Sequence, residues 1–417
     1  MKHEIEIDDL CQPKLNDMQK AALAYYDKNP VELSETAVLD EARRRTGLSD
    51  FGRDDFRERL RLLLSEWNGD SELTNLHRST LWSYLTRYAA NRLLIQEALR
   101  RNPSIHEEKV DRPIIVAGLP RSGTTHLVNL LAADPRLRSL PLWESYEPLP
   151  MPHEEQTIDG VDPRYRRCAE AWEQMQAAMP VLAAMHPMNP DHVHEDLELM
   201  GPDFASYNFE WVSVSPRWRD HYYATDQVPH YEYLKTALKI LQTVKGPKRW
   251  VLKCPQHLEQ LPLLRKTFPD AILAITHRDP VAVIQSAVTM IAYFQRMSRT
   301  RIDPEGLIRY WSDRIEHLLR ACVRDRAVWP QSQSVDVYFK EFMADDFAMA
   351  ERILTMAGLP LNEETRSRIE EFINDHPRGK DGQVIYHLER DFGVSPERLR
   401  ERFRFYFEAF PVSPEVR

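Results

Sequence analysis

The sequence predicts an α/β protein: a parallel β-sheet flanked by helices, with a helical region before it and a helical insertion within it. IIVAG (114–118) and AILAIT (271–276) are unbroken apolar runs of strand length, the pattern of strands buried on both faces, and RWVLK (249–253) reads as a third strand. A helical pattern follows each. THLVNLLAA comes after IIVAG and VAVIQSAVTM after AILAIT, while 257–268 places Leu258, Leu261, Leu264 and Phe268 in register after RWVLK. Strands alternating with helices imply parallel pairing through right-handed crossovers. A late run, SVDVYF (334–339), is a candidate to join the sheet.

Residues 1–108 form the helical N-terminal region. Ser34 can cap a helix through AVLDEARRR that stops at Gly47. A second helix covers DDFRERLRLLLSEW and stops near Asn68 and Gly69. A third runs from Ser71 to about Arg100, with Leu81, Leu85 and Tyr88 on one face. No catalytic signature lies here; a packing module that leaves room for a homodimer is expected. Residues 109–417 carry the sheet. Within them 145–245 is a loop-rich helical insertion containing many Met, Trp, Tyr, His and Pro residues, either a substrate-binding lid or added scaffold.

The 417 residues are 42% hydrophobic and 29% charged, an ordinary globular composition. A net charge of −9 argues against nucleic acid as a partner. The four cysteines (Cys11, Cys168, Cys254, Cys322) form no CxxC pair, which suits a reducing compartment and suggests neither a zinc ribbon nor a disulfide framework. MKHEIEIDDL lacks the apolar core of a secretory signal, and no apolar run approaches the roughly 20 residues a membrane span needs. A cytoplasmic protein without a membrane span is expected.

GLPRSGTT (118–125) joins the strand IIVAG to a helix. Gly118 and Gly123 permit tight backbone approaches, successive N–H groups can form an anion nest, and the helix N-terminus adds its positive dipole end. The hydroxyls of Ser122, Thr124 and Thr125 can donate to phosphate oxygens, and Arg121 supplies a forked cation. A Walker A loop would carry lysine where Thr124 stands, so the sheet is P-loop NTPase-like with its cation moved into the loop. AILAIT ends in His277 and Arg278 rather than in a carboxylate suited to Mg²⁺, so a second anion and no metal is expected there. Arg278 at the strand end and Ser286 in the following helix could grip one phosphate together.

RSGTT after an apolar strand, then LKCPQHL, then FPDAILAITHRDP with Ser286 downstream, resembles the PAPS-dependent sulfotransferase family. The likeness is to its bacterial-type branch, which is similar to tyrosylprotein sulfotransferases. It covers about 110 to the C-terminus, with 145–245 matching weakly. The resemblance implies that Arg121, Ser122, Gly123, Thr124, Thr125 and His126 hold the donor's 5′-phosphosulfate, and that Arg278 and Ser286 bind its 3′-phosphate. HPRGKDG (376–382) is similar to the family's last basic segment, which implies that Arg378, Gly379 and Lys380 bind the same phosphate. Tyr338 stands where the family often contacts the adenine. The chain departs from the cytosolic branch, which has lysine at the place of Arg121 and an aromatic residue at that of His126.

Sulfuryl transfer needs an in-line acceptor, a base for its proton and cations on the leaving phosphate. Lys253, at the carboxyl end of its strand, is the first choice of cation. The cytosolic branch has its base histidine where Pro255 stands, so the base must lie elsewhere. His257 could be that base or could cap and orient the loop. Glu144, in PLWE, resembles the base glutamate of the tyrosylprotein branch, or else pairs with a loop arginine. In DHVHED, His192, His194, Glu195 and Asp196 offer an acceptor-lid role, with His194 as a reserve base; HxH beside a carboxylate could instead bind zinc, although no third histidine has matching spacing. The expected function is transfer of sulfuryl from PAPS to a hydroxyl of a small-molecule acceptor. That acceptor is expected to be hydrophobic, because Trp172, Tyr207, Trp211, Trp218, Tyr222 and Tyr223 crowd the insertion. A P-loop kinase or hydrolase using ATP is the main alternative, followed by a nucleotide-binding protein that has lost its chemistry and by a zinc hydrolase.

Overall fold

The structure, a computed structural model, describes residues 3–155, 157–246, 248–377 and 379–416. In chain order its strands are β1 (Glu4–Ile5), β2 (Ile114–Gly118), β3 (Leu137–Arg138), β4 (Arg249–Lys253), β5 (Ile272–His277), β6 (Ser334–Tyr338) and β7 (Gln383–Val384). Five of them form one parallel sheet in the order β3-β4-β2-β5-β6. The apolar runs are continuous because both faces of the sheet are covered. Ile115, Ala117, Leu252, Leu273 and Ile275 enter the core on one face. Ile114, Val116, Val251, Ala274 and Val335 enter the core on the other. Because β4 and β5 lie on opposite sides of β2, the sheet has a switch point at the carboxyl end of β2, where open α/β sheets bind their ligands.

The N-terminal region is helical, as the sequence predicts. Ser34 Oγ accepts the Ala37 N–H at the start of helix Glu35–Thr46, and Gly47 ends it at φ 68°. The third expected helix begins later, at Asn75–Arg101, because Asp70 closes a turn through Glu72 and Thr74 takes the cap. Helix Asp17–Lys28, not anticipated, carries a reciprocal capping box between Asn16 and Gln19. The helix expected over 257–268 divides into a 3₁₀ turn, Pro255–Glu259, and helix Leu261–Thr267, since Pro262 lacks an N–H and is accommodated only in a first helical turn.

Three contacts tie the N-terminal region to the rest. Phe56 stacks on Phe204 at 5.7 Å, and Trp67 Nε1 donates to Ser215 Oγ at 2.9 Å, so the first helices share a core with the insertion. β1 pairs in parallel with β7 and holds the 379–386 segment in place. Among the described residues no helix is long and apolar enough to cross a membrane.

Arg314, on helix Pro304–Asp325, forms a buried ionic joint. Its Nε donates to Glu210 at 2.8 Å, and Nη1 and Nη2 donate to the two oxygens of Glu259 at 2.7 Å each. All three side chains are buried. The joint fastens the turn after Lys253 to the insertion. Replacing Arg314 with Met leaves two buried carboxylates without their cation, so unfolding free energy should fall by about 3–5 kcal/mol. Chemical denaturation of Arg314→Met checks this; an unchanged midpoint contradicts it.

Candidate functional site

The loop between β2 and helix Thr124–Ala132 is the floor of the site. Arg121 (φ 66°) and Gly123 (φ 86°) both take the left-handed conformation, and the Ser122 N–H between them donates to the Leu119 carbonyl at 3.2 Å, which closes a tight turn. Gly118 is obligatory for another reason: a Cβ there would lie 1.9 Å from Thr276 Oγ1 on β5. Ser122 faces inward, its hydroxyl between the Leu119 carbonyl and Thr276 Oγ1, and so braces the loop against the sheet. Thr124 is buried at the start of the helix.

Arg121 of the first expected anion site and Arg278, Ser286 and Gly379 of the second line one cavity of about 670 Å³, together with Phe339 and Tyr386 among others. Arg121 Nε donates to Ser286 Oγ at 3.0 Å, and Arg278 Nη1 donates to the Arg121 carbonyl at 2.6 Å. Ser286 Oγ in turn donates to Tyr386 Oη at 3.0 Å. The Arg278 guanidinium lies 3.9 Å over the Phe339 ring. Phe339 and Tyr386 were not singled out in the sequence. Phe339 follows the last residue of β6, and Tyr386 lies two residues beyond β7; proximity to a strand end was the only available signal.

Other expected donor residues sit differently. Tyr338 stacks on His277 at 5.2 Å, beside the cavity rather than on its wall. His277 is buried, with its two ring nitrogens on Asp336 and Tyr406, leaving Arg278 as the cation of that strand end. His126 Nε2 bonds Asp346 at 2.8 Å, with its ring against Phe342 and Phe372. Gly379 lines the cavity, whereas Lys380 is exposed and donates to the Asp375 carbonyl at 3.4 Å. Arg378 lies outside the described residues.

Lys253, at the end of β4, is 1% exposed. Its Nζ donates to Glu195 Oε1 at 2.5 Å and to Thr125 Oγ1 at 3.3 Å. It therefore adjoins the loop and carries Glu195, which the sequence offered as part of an acceptor lid in DHVHED and not as a partner of Lys253. The neighbouring Asp196 N–H donates to the Lys253 carbonyl, which fixes that segment to the strand. Glu144 has different partners. It is buried and paired with Arg138 at 3.1 Å and Lys245 at 2.9 Å. Arg138 lies opposite Trp250, three residues before Lys253; at the rise of a strand this is about 10 Å from the carboxyl edge.

His257 is fully buried. Its Nε2–H donates to Asp196 Oδ2 at 3.0 Å, so Nδ1 accepts from Tyr231 Oη, also at 3.0 Å. With both nitrogens engaged it orients the turn after Lys253. Asp196, Cys254 and His257 have ligand atoms within 4.8 Å of one another, the group among the described residues with spacing suited to a metal. His186, absent from the sequence reading, joins His192 and His194, with ring centroids 5.5–6.4 Å apart. His186 Nδ1, His192 Nε2 and His194 Nδ1 are buried without a partner. Burial, then the neighbouring His192 and Lys253, holds His186 and His194 well below the ordinary histidine range. A ring so averse to protonation is a poor base. Of the aromatic residues expected to line an apolar pocket, Tyr207, Trp218 and Tyr222 are core residues, and Trp211 packs on Trp311 at 4.3 Å.

A family model described as sulfotransferase family matches residues 113–363. Among solved structures the chain is similar to sulfotransferase STF1 from Mycobacterium tuberculosis H37Rv, at 29% identity over 89% of this chain and 98% of that one, with a TM-score of 0.77. It is similar also to sulfotransferase STF9 from Mycobacterium avium, at 28% identity over 93% and 99%, with a TM-score of 0.82. No curated protein matches it in sequence.

The buried histidines make stability depend on pH. His192 is pushed down to about 3 by burial and by the charge of Lys253. Its unfolded counterpart takes a proton near pH 6.5, so acidification favours the unfolded chain, by about 2 kcal/mol at pH 5. Melting temperature should fall from pH 6.5 to 5, and His192→Asn should flatten that slope. Equal slopes in the two proteins contradict the assignment.

Proposed function

The chain belongs to the sulfotransferase family, and from that premise we propose that it transfers the sulfuryl group of PAPS to a hydroxyl of a small-molecule acceptor by in-line displacement. The observation that carries the donor assignment is the cavity in which Arg121 of the left-handed loop meets Arg278 and Ser286. Those residues fit a nucleotide with an anionic group at each end: an N–H nest at one, a forked guanidinium and two hydroxyls at the other.

PAPS, when bound, supplies an activated sulfuryl group on a phosphate leaving group. The loop 119–125 would hold the phosphosulfate end through backbone N–H groups and Thr124, while Arg278, Ser286, Gly379 and Tyr386 would hold the 3′-phosphate. Lys253, beside Thr125, would stabilise charge on the leaving oxygen. Glu195, already on Lys253, is the carboxylate best placed to take the acceptor's proton. Tyr231 and His257 position that pair through Asp196, whose N–H donates to the Lys253 carbonyl. Glu144, paired with Arg138 and Lys245 toward the other edge of the sheet, serves packing in this reading. An ATP-dependent kinase is less well served, because no carboxylate ends β5 for Mg²⁺ and Thr124 stands at the P-loop lysine position. The four cysteines are free, three of them buried, which fits a cytoplasmic location.

Two measurements test the assignment. With labelled PAPS and 4-nitrophenol as surrogate acceptor, Lys253→Ala and Glu195→Gln should each lower turnover by about 10²–10³. Full activity of Glu195→Gln moves the base elsewhere. In calorimetry with PAP, the desulfated product, Arg278→Ala should weaken binding by about 1.5–3 kcal/mol; unchanged affinity removes Arg278 from the donor site.

A further inference from the structure

Arg278 already holds an anion. Its Nε donates to both carboxylate oxygens of Glu415 at 3.0 Å, and its Nη2 donates to Glu415 Oε2 at 2.8 Å. Nη1 is turned to the Arg121 carbonyl. The approach of Glu415 is built into the fold. Asp279, fully buried, uses Oδ1 to cap the helix Pro280–Ser298 at the Val281 N–H and Oδ2 to accept the Glu415 N–H at 2.7 Å. Glu415 and Val416 line the same cavity as Arg121 and Ser286. The backbone that delivers the carboxylate is thus pinned to the element that carries Arg278.

We propose that Glu415 is an internal competitor for the phosphate that Arg278 binds, and so a residue that sets donor specificity and hastens product release. The proposal rests on the donor reading above. A phosphate monoester carries nearly two negative charges at neutral pH and three acceptor oxygens, against one charge and two oxygens for the carboxylate. A nucleotide bearing a 3′-phosphate therefore displaces Glu415 at a net gain, but a smaller gain than a bare guanidinium would give. A nucleotide without that phosphate leaves the pair intact and draws nothing from Arg278. The pair keeps the guanidinium over the Phe339 ring, 3.9 Å from its centre, ready for the exchange. If Glu415 instead stays in place and merely orients Arg278, its removal has the opposite sign.

Calorimetry with PAP and with 5′-ADP, on the full chain and on Glu415→Gln and Glu415→Ala, separates these cases. The pair is part exposed, so the gain is modest: PAP should bind both variants about fivefold more tightly, while 5′-ADP affinity stays unchanged. Unchanged or weaker PAP binding overturns the proposal, as does an equal gain for 5′-ADP. Absence of PAP binding by the unaltered chain is a different failure, because it removes the donor reading itself.

Discussion

Two guanidinium groups of like charge facing one cavity are the constraint on which the rest of this site depends. Arg121 and Arg278 both line it, and Arg278 donates to the carbonyl of Arg121. Such an arrangement persists only where acceptors surround it, and each lies on a different element. Met185 supplies a carbonyl from the insertion, Ser286 a hydroxyl from the helix after β5, and Glu415 a carboxylate from the 411–416 segment. The sheet makes this convergence possible. Parallel strands bring the ends of β2, β4, β5 and β6 to one edge, and the division of the chain to either side of β2 opens space there.

Buried ion pairs elsewhere keep that edge rigid rather than adding to overall stability, since burial of charge offsets much of what pairing gains. Arg314 clamps Glu210 and Glu259 directly behind the turn that follows Lys253. The chain Tyr231–His257–Asp196 holds the backbone beside Glu195, and Asp196 is tied to the Lys253 carbonyl. Lysine and glutamate are thus delivered together by two unrelated stretches of sequence. The trio His186, His192 and His194 nearby, with unpartnered buried nitrogens, makes this side of the site polar.

Strands buried on both faces were legible because they leave unbroken apolar runs, and the loop was legible because glycines at fixed spacing sit between such a strand and a helix. Lys253 and Arg278 were legible from their positions at strand ends, and Ser286 from its place nearly two turns into the helix after β5. Glu195 was not, because a carboxylate between a histidine and an aspartate has no local mark of pairing with a lysine 58 residues away. Glu415 was equally silent: its partner stands 137 residues earlier. The aromatic residues of the insertion suggested a pocket, yet composition does not distinguish a side chain that lines a cavity from one that fills a core, as Trp218 does. β1 and β7 have two residues each, too short for any periodicity to show.

The central claim is that one doubly phosphorylated nucleotide spans the loop and the Arg278 cavity. A crystal structure of the chain with PAP tests it most directly. The account requires the 3′-phosphate within about 3 Å of Arg278 and Ser286, with the 5′-phosphate on the N–H groups of the 119–125 loop. A nucleotide bound elsewhere, or bound with its 3′-phosphate in solvent, contradicts it.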